Sequence, residues 1–268
     1  MITFLQSIIL GLIQGIAEWL PVSSSGHLVL AQEYFGLSVP VLFDVFLHIG
    51  TLLAVFVVFW KDIVRIAKSI IDTIILKKSI NDIKRDKELL IAWFVFLACI
   101  PTAIIGYYFA GWISTLFYST FAVGIALMLN GFWLFLAEDN KPKVKKLSWP
   151  VALFVGFMQG VAIVPGISRS GSTISAALIC GVKRETATRF SFLMAIPAII
   201  GAFLFELHGN LTFTSNMYFP AIIASLIAFV VGVFFLKWLL KLVSQKKLHV
   251  FAYYCWALGF LVILLNVL

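Results

Sequence analysis

The chain has 268 residues, of which 62% are hydrophobic and only 12% are charged. This composition lies outside the range of soluble globular domains and predicts an integral membrane protein. The net charge of +8 does not indicate a nucleic-acid-binding protein, because nineteen of the twenty Lys and Arg residues fall in four clusters that flank apolar segments.

The first polar feature is the segment EWLPVSSSGH, residues 18–27, which interrupts an otherwise apolar N-terminal region. The apolar arms on either side are together too short for two crossings of a hydrocarbon core of ~30 Å. We therefore expect a re-entrant helical hairpin whose broken backbone faces a polar cavity, since unpaired backbone groups are tolerated at membrane depth only there. In the alternative topology, residues 1–20 form a conventional span that contains Gln14 and Glu18.

Six longer apolar segments follow, each near the ~20 residues that cross a bilayer as a helix. They lie at 41–60, 89–109, 113–137, 190–207, 218–236 and 250–268. The basic clusters lie at 61–87, 141–146, 183–189 and 237–247. By the positive-inside rule all four clusters face the cytoplasm. The loops at 61–88 and 138–148 are thus predicted to be cytoplasmic and both termini to be outside, so a cysteine at position 212 should react with an external reagent.

An internal repeat relates residues 11–27 to residues 156–172, which match at seven of seventeen positions. The identities are Gly11/Gly156, Gln14/Gln159, Gly15/Gly160, Ala17/Ala162, Ser23/Ser168, Ser25/Ser170 and Gly26/Gly171. We expect a single all-α membrane domain, 1–268, made of repeat one (1–137) and repeat two (149–268), each with one hairpin and three spans. Because each repeat has an odd number of spans, three, the second copy is inverted in the membrane relative to the first. The two breaks are therefore predicted to meet near the midplane.

The first break combines a carboxylate with an anion-binding helix start. Gln14 and Glu18 are four residues apart and share one helix face. Ser23, Ser24, Ser25 and Gly26 then open a second helix, with His27 in its first turn. The free N–H groups of a helix start favour an anion, and the glycine permits close approach of backbone.

The second break adds a cation. Arg169 is the one basic residue outside the clusters, and Gln159 is the counterpart of Gln14. The hydroxyl and glycine residues around it are Ser168, Ser170, Gly171, Ser172 and Thr173. Together the two breaks predict a phosphate pocket.

Each of these residues also has a structural interpretation. Serine and glycine often serve helix packing in membranes, and Glu18 and Arg169 are also compatible with a purely structural ion pair. His27 taken alone is compatible with a core histidine. Asp44 and His48, also four residues apart, either line the same cavity or cap the span at 41–60.

The segments GLIQGIAEWLPVSSSGH and PGISRSGSTIS resemble the two signature motifs of the undecaprenyl-diphosphate phosphatases, the bacitracin-resistance family of bacterial inner-membrane enzymes. The resemblance extends along essentially the whole chain. It implies hydrolysis of a C55 polyprenyl diphosphate to the monophosphate carrier lipid and inorganic phosphate during peptidoglycan synthesis. It also implies a multi-pass protein of the inner (plasma) membrane with a site open to the outer side.

The resemblance further implies roles for individual residues. Its Glu/Gln-x-x-x-Glu element corresponds to Gln14 and Glu18, its Pro-Val-Ser-Ser-x-Gly-His element to residues 21–27, and its arginine loop to residues 168–171. A divalent cation, Mg²⁺ or Ca²⁺, is implied as cofactor. Members often have Glu at the first of these positions, whereas Gln14 cannot ionise, which leaves Glu18 as the carboxylate for the metal.

Several alternatives stay open at this stage. Ser24, His27 or water can be the nucleophile, with Glu18 or His27 as base and Arg169 as the phosphate-binding cation. A polyprenyl-phosphate carrier would use the same pocket, although a carboxylate beside the anion site favours an enzyme. The expected partners are the lipid substrate and the bilayer, with no nucleic acid, and a homodimer is left open.

Overall fold

The computed structural model describes residues 2–76, 82, 85–138, 146–209 and 215–268. These residues form eleven α-helices and no β-strand. In chain order they are α1 (Phe4–Ala17), α2 (Ser24–Tyr34), α3 (Val41–Val58), α4 (Trp60–Ile75), α5 (Lys87–Leu116), α6 (Thr120–Glu138), α7 (Trp149–Val161), α8 (Arg169–Ile179), α9 (Arg184–Gly209), α10 (Ser215–Ser244) and α11 (His249–Val267). The all-α fold class is confirmed.

Six of these helices, α3, α5, α6, α9, α10 and α11, are long and apolar enough to cross a membrane. The six predicted spans are therefore confirmed. The helices α5 and α10 have 30 residues each and extend beyond the predicted segments into the basic clusters. Position 212 and most of the predicted loop at 138–148 lie outside the described residues.

The predicted loop at 61–88 is partly wrong as a description of structure, because residues 60–75 form the helix α4. Apolar residues recur there at helical spacing between the basic residues, a pattern typical of an amphipathic helix. Charge alone does not distinguish a loop from an amphipathic helix, and the spacing of the apolar residues does.

Each predicted hairpin is a pair of short helices around a break. The helices α1 and α2 have 14 and 11 residues, and α7 and α8 have 13 and 11, so none is long enough to span a bilayer. Ser23 and Ser168 cap α2 and α8, since their hydroxyls accept from the backbone N–H of Gly26 and Gly171 at 3.2 and 3.1 Å. The insertion of both pairs from opposite membrane faces stays a prediction.

Glycine residues allow the short helices to pack closely on two of the spans. The helix α1 packs on α10 where a Cβ at Gly11 would lie 2.5 Å from the carbonyl oxygen of Ala224. The helix α7 packs on α5 where a Cβ at Gly156 would collide with the carbonyl oxygen of Ala98. Matched glycines thus contact the second span of the opposite half, as a duplication predicts, and the division into 1–137 and 149–268 stays a prediction.

The variant Gly156→Ala is expected to lower the thermal unfolding midpoint in detergent by roughly 5–10 °C, because the added methyl group displaces rigid backbone of α5. Its control is Gly111→Ala in α5, where an added Cβ meets no atom within 4 Å. The control is expected to keep or raise the midpoint, since alanine favours a helix. Equal midpoints for the two variants would contradict the close packing of α5 and α7.

Candidate functional site

Glu18 lies at the end of α1 and is the centre of the site. The residue is 6% exposed, and both carboxylate oxygens accept hydrogen bonds. Oε2 accepts from the hydroxyl of Ser24 at 2.7 Å and from the amide of Gln14 at 3.1 Å. Oε1 accepts from the guanidinium of Arg169, in the second break. The carboxylate therefore joins the two predicted motifs directly.

A histidine from α3 also contacts this carboxylate. The Nε2 atom of His48 lies 3.2 Å from Oε2 of Glu18, and its Nδ1 atom lies 2.7 Å from the carbonyl oxygen of Asp44. Because a carbonyl oxygen only accepts, Nδ1 carries a hydrogen there. The Nε2 atom on the other side of the ring then faces the carboxylate of Glu18. Sequence reasoning gave His48 little weight, although an ionisable residue within a span is itself a signal of function.

Arg169 opens α8 and reaches Glu18 with one arm of its guanidinium. Its side chain is 15% exposed, and its guanidinium carbon lies 5.5 Å from the ring centre of Trp19, a cation–π distance. The other terminal nitrogen, Nη1, is buried and has no hydrogen-bond partner among the described residues. A buried donor of this kind is costly unless a ligand satisfies it. It is placed to bind an oxygen of an anion that enters beside Glu18.

Several hydrogen bonds fasten the two breaks to each other. The hydroxyl of Ser23 accepts from the backbone N–H of Gly166 at 3.0 Å, and Ser170 donates to the carbonyl oxygen of Trp19 at 3.0 Å. Gly26 lies so close to Gly166 that a Cβ at residue 26 would be 3.0 Å from its Cα. The predicted contact between the breaks is confirmed, whereas their depth in the bilayer stays a prediction.

Asn130, in α6, bridges the same two breaks and was missed. Its amide donates to the carbonyl oxygen of Pro21 at 2.9 Å, and its carbonyl oxygen accepts from the backbone N–H of Ser168 at 3.1 Å. The side chain is 1% exposed. A polar residue inside an apolar span was the available signal, but its partners lie more than 35 residues away in sequence.

Two predicted serines have their hydroxyls engaged by the fold. Ser23 adopts φ +69°, a left-handed conformation that is uncommon for serine, and its Oγ accepts two backbone N–H bonds. Ser168 caps α8 and lies 3.2 Å from the hydroxyl of Ser170. These contacts position Ser24 and Arg169, which follow them directly. Substrate binding by Ser23, Ser168, Ser170 and their neighbour Ser25 stays a prediction.

His27 points away from Glu18 in this structure. Its Nδ1 lies 2.7 Å from the carbonyl oxygen of Ser23, and its Nε2 lies 2.7 Å from the hydroxyl of Tyr254 in α11. The two rings are stacked with centres 5.7 Å apart. Tyr254 is therefore the side-chain partner of His27, and it carries no sequence signal of its own.

The remaining predicted residues surround α8 and α7. Thr173 pairs with Ser191 of α9 at 2.5 Å, and Gln159 donates to Thr102 of α5 at 3.2 Å. The hydroxyl of Ser172 is buried without a partner in the described part of the chain. Gly171 allows Pro21 to approach, since a Cβ there would lie 3.0 Å from it. Gln159 thus matches Gln14 in the sequence repeat, but its amide contacts α5 and not Glu18.

The donor set fits a divalent cation only in part. The described residues contain no group of three or more His, Cys, Asp or Glu that would enclose a metal. However, the amide of Gln14, whose nitrogen donates to Glu18, has a buried oxygen without a partner among the described residues. Hard cations such as Mg²⁺ take carboxylate and amide oxygens and commonly complete their shell with substrate phosphates. Glu18 and Gln14 thus offer two oxygen-bearing side chains of the kind that such an ion binds.

Comparison with known proteins agrees with this geometry. Residues 7–261 match the family described as bacitracin resistance protein BacA. A Desulforapulum autotrophicum protein named undecaprenyl-diphosphatase is 42% identical over 97% of both chains. Proteins of the same name from Methanosphaera stadtmanae and Halothermothrix orenii are 41% and 43% identical over at least 96% of both chains. With near-complete coverage by the family and by these relatives, the chain belongs to the BacA family of bacitracin resistance proteins.

Proposed function

We propose that the protein hydrolyses undecaprenyl diphosphate to undecaprenyl phosphate and inorganic phosphate. This reaction would recycle the lipid carrier for peptidoglycan synthesis and confer bacitracin resistance. The observation that carries the proposal is the contact of Ser24 and Arg169 with the buried carboxylate of Glu18. A nucleophile, a base and a phosphate-binding cation then occupy one site, and the relatives' name supplies the substrate.

Ser24 is the proposed nucleophile. Its hydroxyl already donates to Oε2 of Glu18 at 2.7 Å, so the carboxylate is in place to take the proton as the oxygen attacks the terminal phosphorus. The bond from that phosphorus to the bridging oxygen breaks, and undecaprenyl phosphate leaves with the electron pair. Arg169 offsets the charge on the transferred group, which is the main requirement of phosphoryl transfer.

Water completes the reaction in a second step. It attacks the phosphoserine, Glu18 returns its proton to the oxygen of Ser24, and inorganic phosphate leaves while one proton passes to solvent. His48 holds Oε2 of Glu18 throughout. Asn130 keeps the two breaks together.

We further propose that Glu18 and the amide oxygen of Gln14 hold Mg²⁺ or Ca²⁺ when substrate is bound. Such an ion would neutralise charge on the diphosphate and polarise its oxygens. The proposal also includes a location in the inner membrane with the site open to the outer side, as the resemblance to the phosphatase family implies. The homodimer stays a prediction.

Purified protein in lipid vesicles, incubated with undecaprenyl diphosphate and Mg²⁺ or Ca²⁺, is expected to release inorganic phosphate. A chelator is expected to abolish the release and added metal to restore it. A carrier without hydrolytic activity would move lipid between leaflets and release no phosphate, an outcome that would contradict the enzyme.

The variant Gln14→Glu is expected to lower the metal concentration that gives half-maximal phosphate release by about tenfold, because a second carboxylate strengthens the site. Its control is Gln159→Glu, which adds the same charge at the equivalent place beside Thr102. The control is expected to leave the half-maximal concentration unchanged. If both variants or neither shift this concentration, Gln14 is not a metal ligand.

A further inference from the structure

The amphipathic helix α4 has an apolar face that no part of the described chain covers. Its members are all 39–71% exposed: Trp60, Val64, Ile70, Ile71, Ile74 and Ile75. On a helical projection they share one arc, with spacings of three, four and seven residues. An apolar surface of this extent on a short helix indicates contact with lipid or protein.

The opposite face of α4 is fastened to the protein by polar contacts. Asp62 pairs with the guanidinium of Arg189 in α9 at 2.7 Å, and that guanidinium also binds Glu88 of α5 at 2.5 Å. Ser69 donates to the carboxylate of Asp86, the N-cap of α5, at 2.5 Å. These contacts fix the rotation of α4 about its axis. The apolar arc is consequently held away from the protein.

The position of α4 in the chain places it at the membrane surface. The span α3 ends at Val58 and α4 begins at Trp60, so its first residues lie where the bilayer ends. With 16 residues and five charges, α4 is too short and too polar to cross. A helix with these properties lies in the interface, with its apolar arc in the acyl region.

Basic residues flank the apolar arc on one side. Lys61, Arg65 and Lys68 are all exposed and project between the arc and the polar face. Asp72 is the acidic residue on that flank, and Arg65 also forms an ion pair with Asp62 at 3.2 Å. The net charge of this flank is therefore positive at the depth where lipid phosphates lie. Each Lys or Arg near a bilayer surface favours anionic lipid.

We propose that α4 lies in the plane of the membrane and binds anionic phospholipid through Lys61, Arg65 and Lys68. The leaflet is the one in which α3 ends, which the positive-inside rule predicts to be cytoplasmic. This inference goes beyond the phosphatase reaction, because it concerns the surface opposite the predicted site opening. The proposal also accounts for the exposed isoleucine side chains of α4, because they would lie among the acyl chains of the lipid.

The test uses one fluorophore on a cysteine at position 74, in a background without Cys99, Cys180 and Cys255. The protein is placed in vesicles of phosphatidylglycerol and phosphatidylcholine, and quenching is measured with brominated lipid and with aqueous iodide. Strong quenching by brominated lipid and weak quenching by iodide are expected. Strong iodide quenching would place the arc in water, and weak quenching by both would place protein, such as a second copy, on it; either result overturns the proposal.

Headgroup preference is measured with the same label. Brominated phosphatidylglycerol is expected to quench about fivefold more effectively than brominated phosphatidylcholine. The triple variant Lys61→Gln, Arg65→Gln, Lys68→Gln is expected to lose this ratio. The matched control, Lys237→Gln, Lys241→Gln, Lys247→Gln, removes the same charge from exposed positions on and just after α10 and is expected to keep the ratio.

If brominated phosphatidylcholine quenches the triple variant as strongly as the unmodified sequence, α4 is still in the membrane. A loss of the phosphatidylglycerol preference is then due to the lost headgroup contacts. A ratio near one in the unmodified sequence, or an unaltered ratio in the triple variant, overturns the assignment of these residues. Neither measurement depends on phosphate release, so a failure here is distinguishable from a failure of the proposed enzyme.

Discussion

Replacing Ser24 with alanine is expected to lower kcat for phosphate release by about 10³-fold or more, because the variant lacks the oxygen that attacks phosphorus. KM is expected to change little, since the Ser24 hydroxyl contacts Glu18 rather than the lipid. A steady-state assay with undecaprenyl diphosphate measures both constants. Acid quenching with terminally labelled substrate is expected to trap label on the unmodified protein but not on the variant.

The control for this experiment is Ser7→Ala. Ser7 is a buried serine of the same hairpin, but its hydroxyl donates to the carbonyl oxygen of Thr3 in its own helix. Phosphate release by the Ser7→Ala variant is expected to match that of the unmodified protein. A Ser24→Ala variant with undiminished kcat would show that Glu18 activates water directly, and the phosphoserine step would be wrong.

The second large effect is expected for Arg169→Lys, with kcat lowered by about 10²-fold or more although the charge is retained. An arginine that stabilises the transferred phosphoryl group contributes a large factor to kcat. Arg169 reaches Glu18 with one terminal nitrogen and keeps the other, Nη1, buried and unbonded among the described residues. A lysine ammonium is a single point of charge and does not reproduce this planar fork.

Arg189→Lys is the matched control for this variant. Arg189 also bonds to carboxylates, but its partners are Asp62 and Glu88, on α4 and α5, rather than Glu18. Phosphate release by this variant is expected to remain close to that of the unmodified protein. Equal losses in the two variants would assign Arg169 a structural role, as one of a set of ion pairs that stabilise the fold.

The six spans were predictable because they depend on composition and length alone. The two breaks were predictable because a repeat of seven identities marks them and because proline, glycine and serine interrupt a helix wherever they cluster. The contact between Gln14 and Glu18 also follows from local geometry, since residues four apart share a helix face. The pairing of Glu18 with Arg169 was one of the alternatives that the sequence left open, and it has a physical reason, because isolated charges in an apolar protein require partners.

Contacts between distant elements were not predictable, because they depend on how helices rotate and pack. His48 and Asn130 are polar residues in spans, and only the approach of α3 and α6 to the breaks gives them partners at Glu18, Pro21 and Ser168. The repeat does not predict equal contacts for its matched residues, because their surroundings differ. Gln159 is the counterpart of Gln14 but contacts Thr102 of α5.

The sequence by itself determined the class of protein, the number of spans and the presence of one carboxylate among hydroxyls and a cation. Only the tertiary structure decided which hydroxyl contacts that carboxylate. Ser24 and His27 are three residues apart in one helical turn, yet Ser24 faces Glu18 while His27 faces Tyr254. The direction of each side chain is set by the rotation of α2, which the link from Ser23 to Gly166 fixes across 143 residues of sequence.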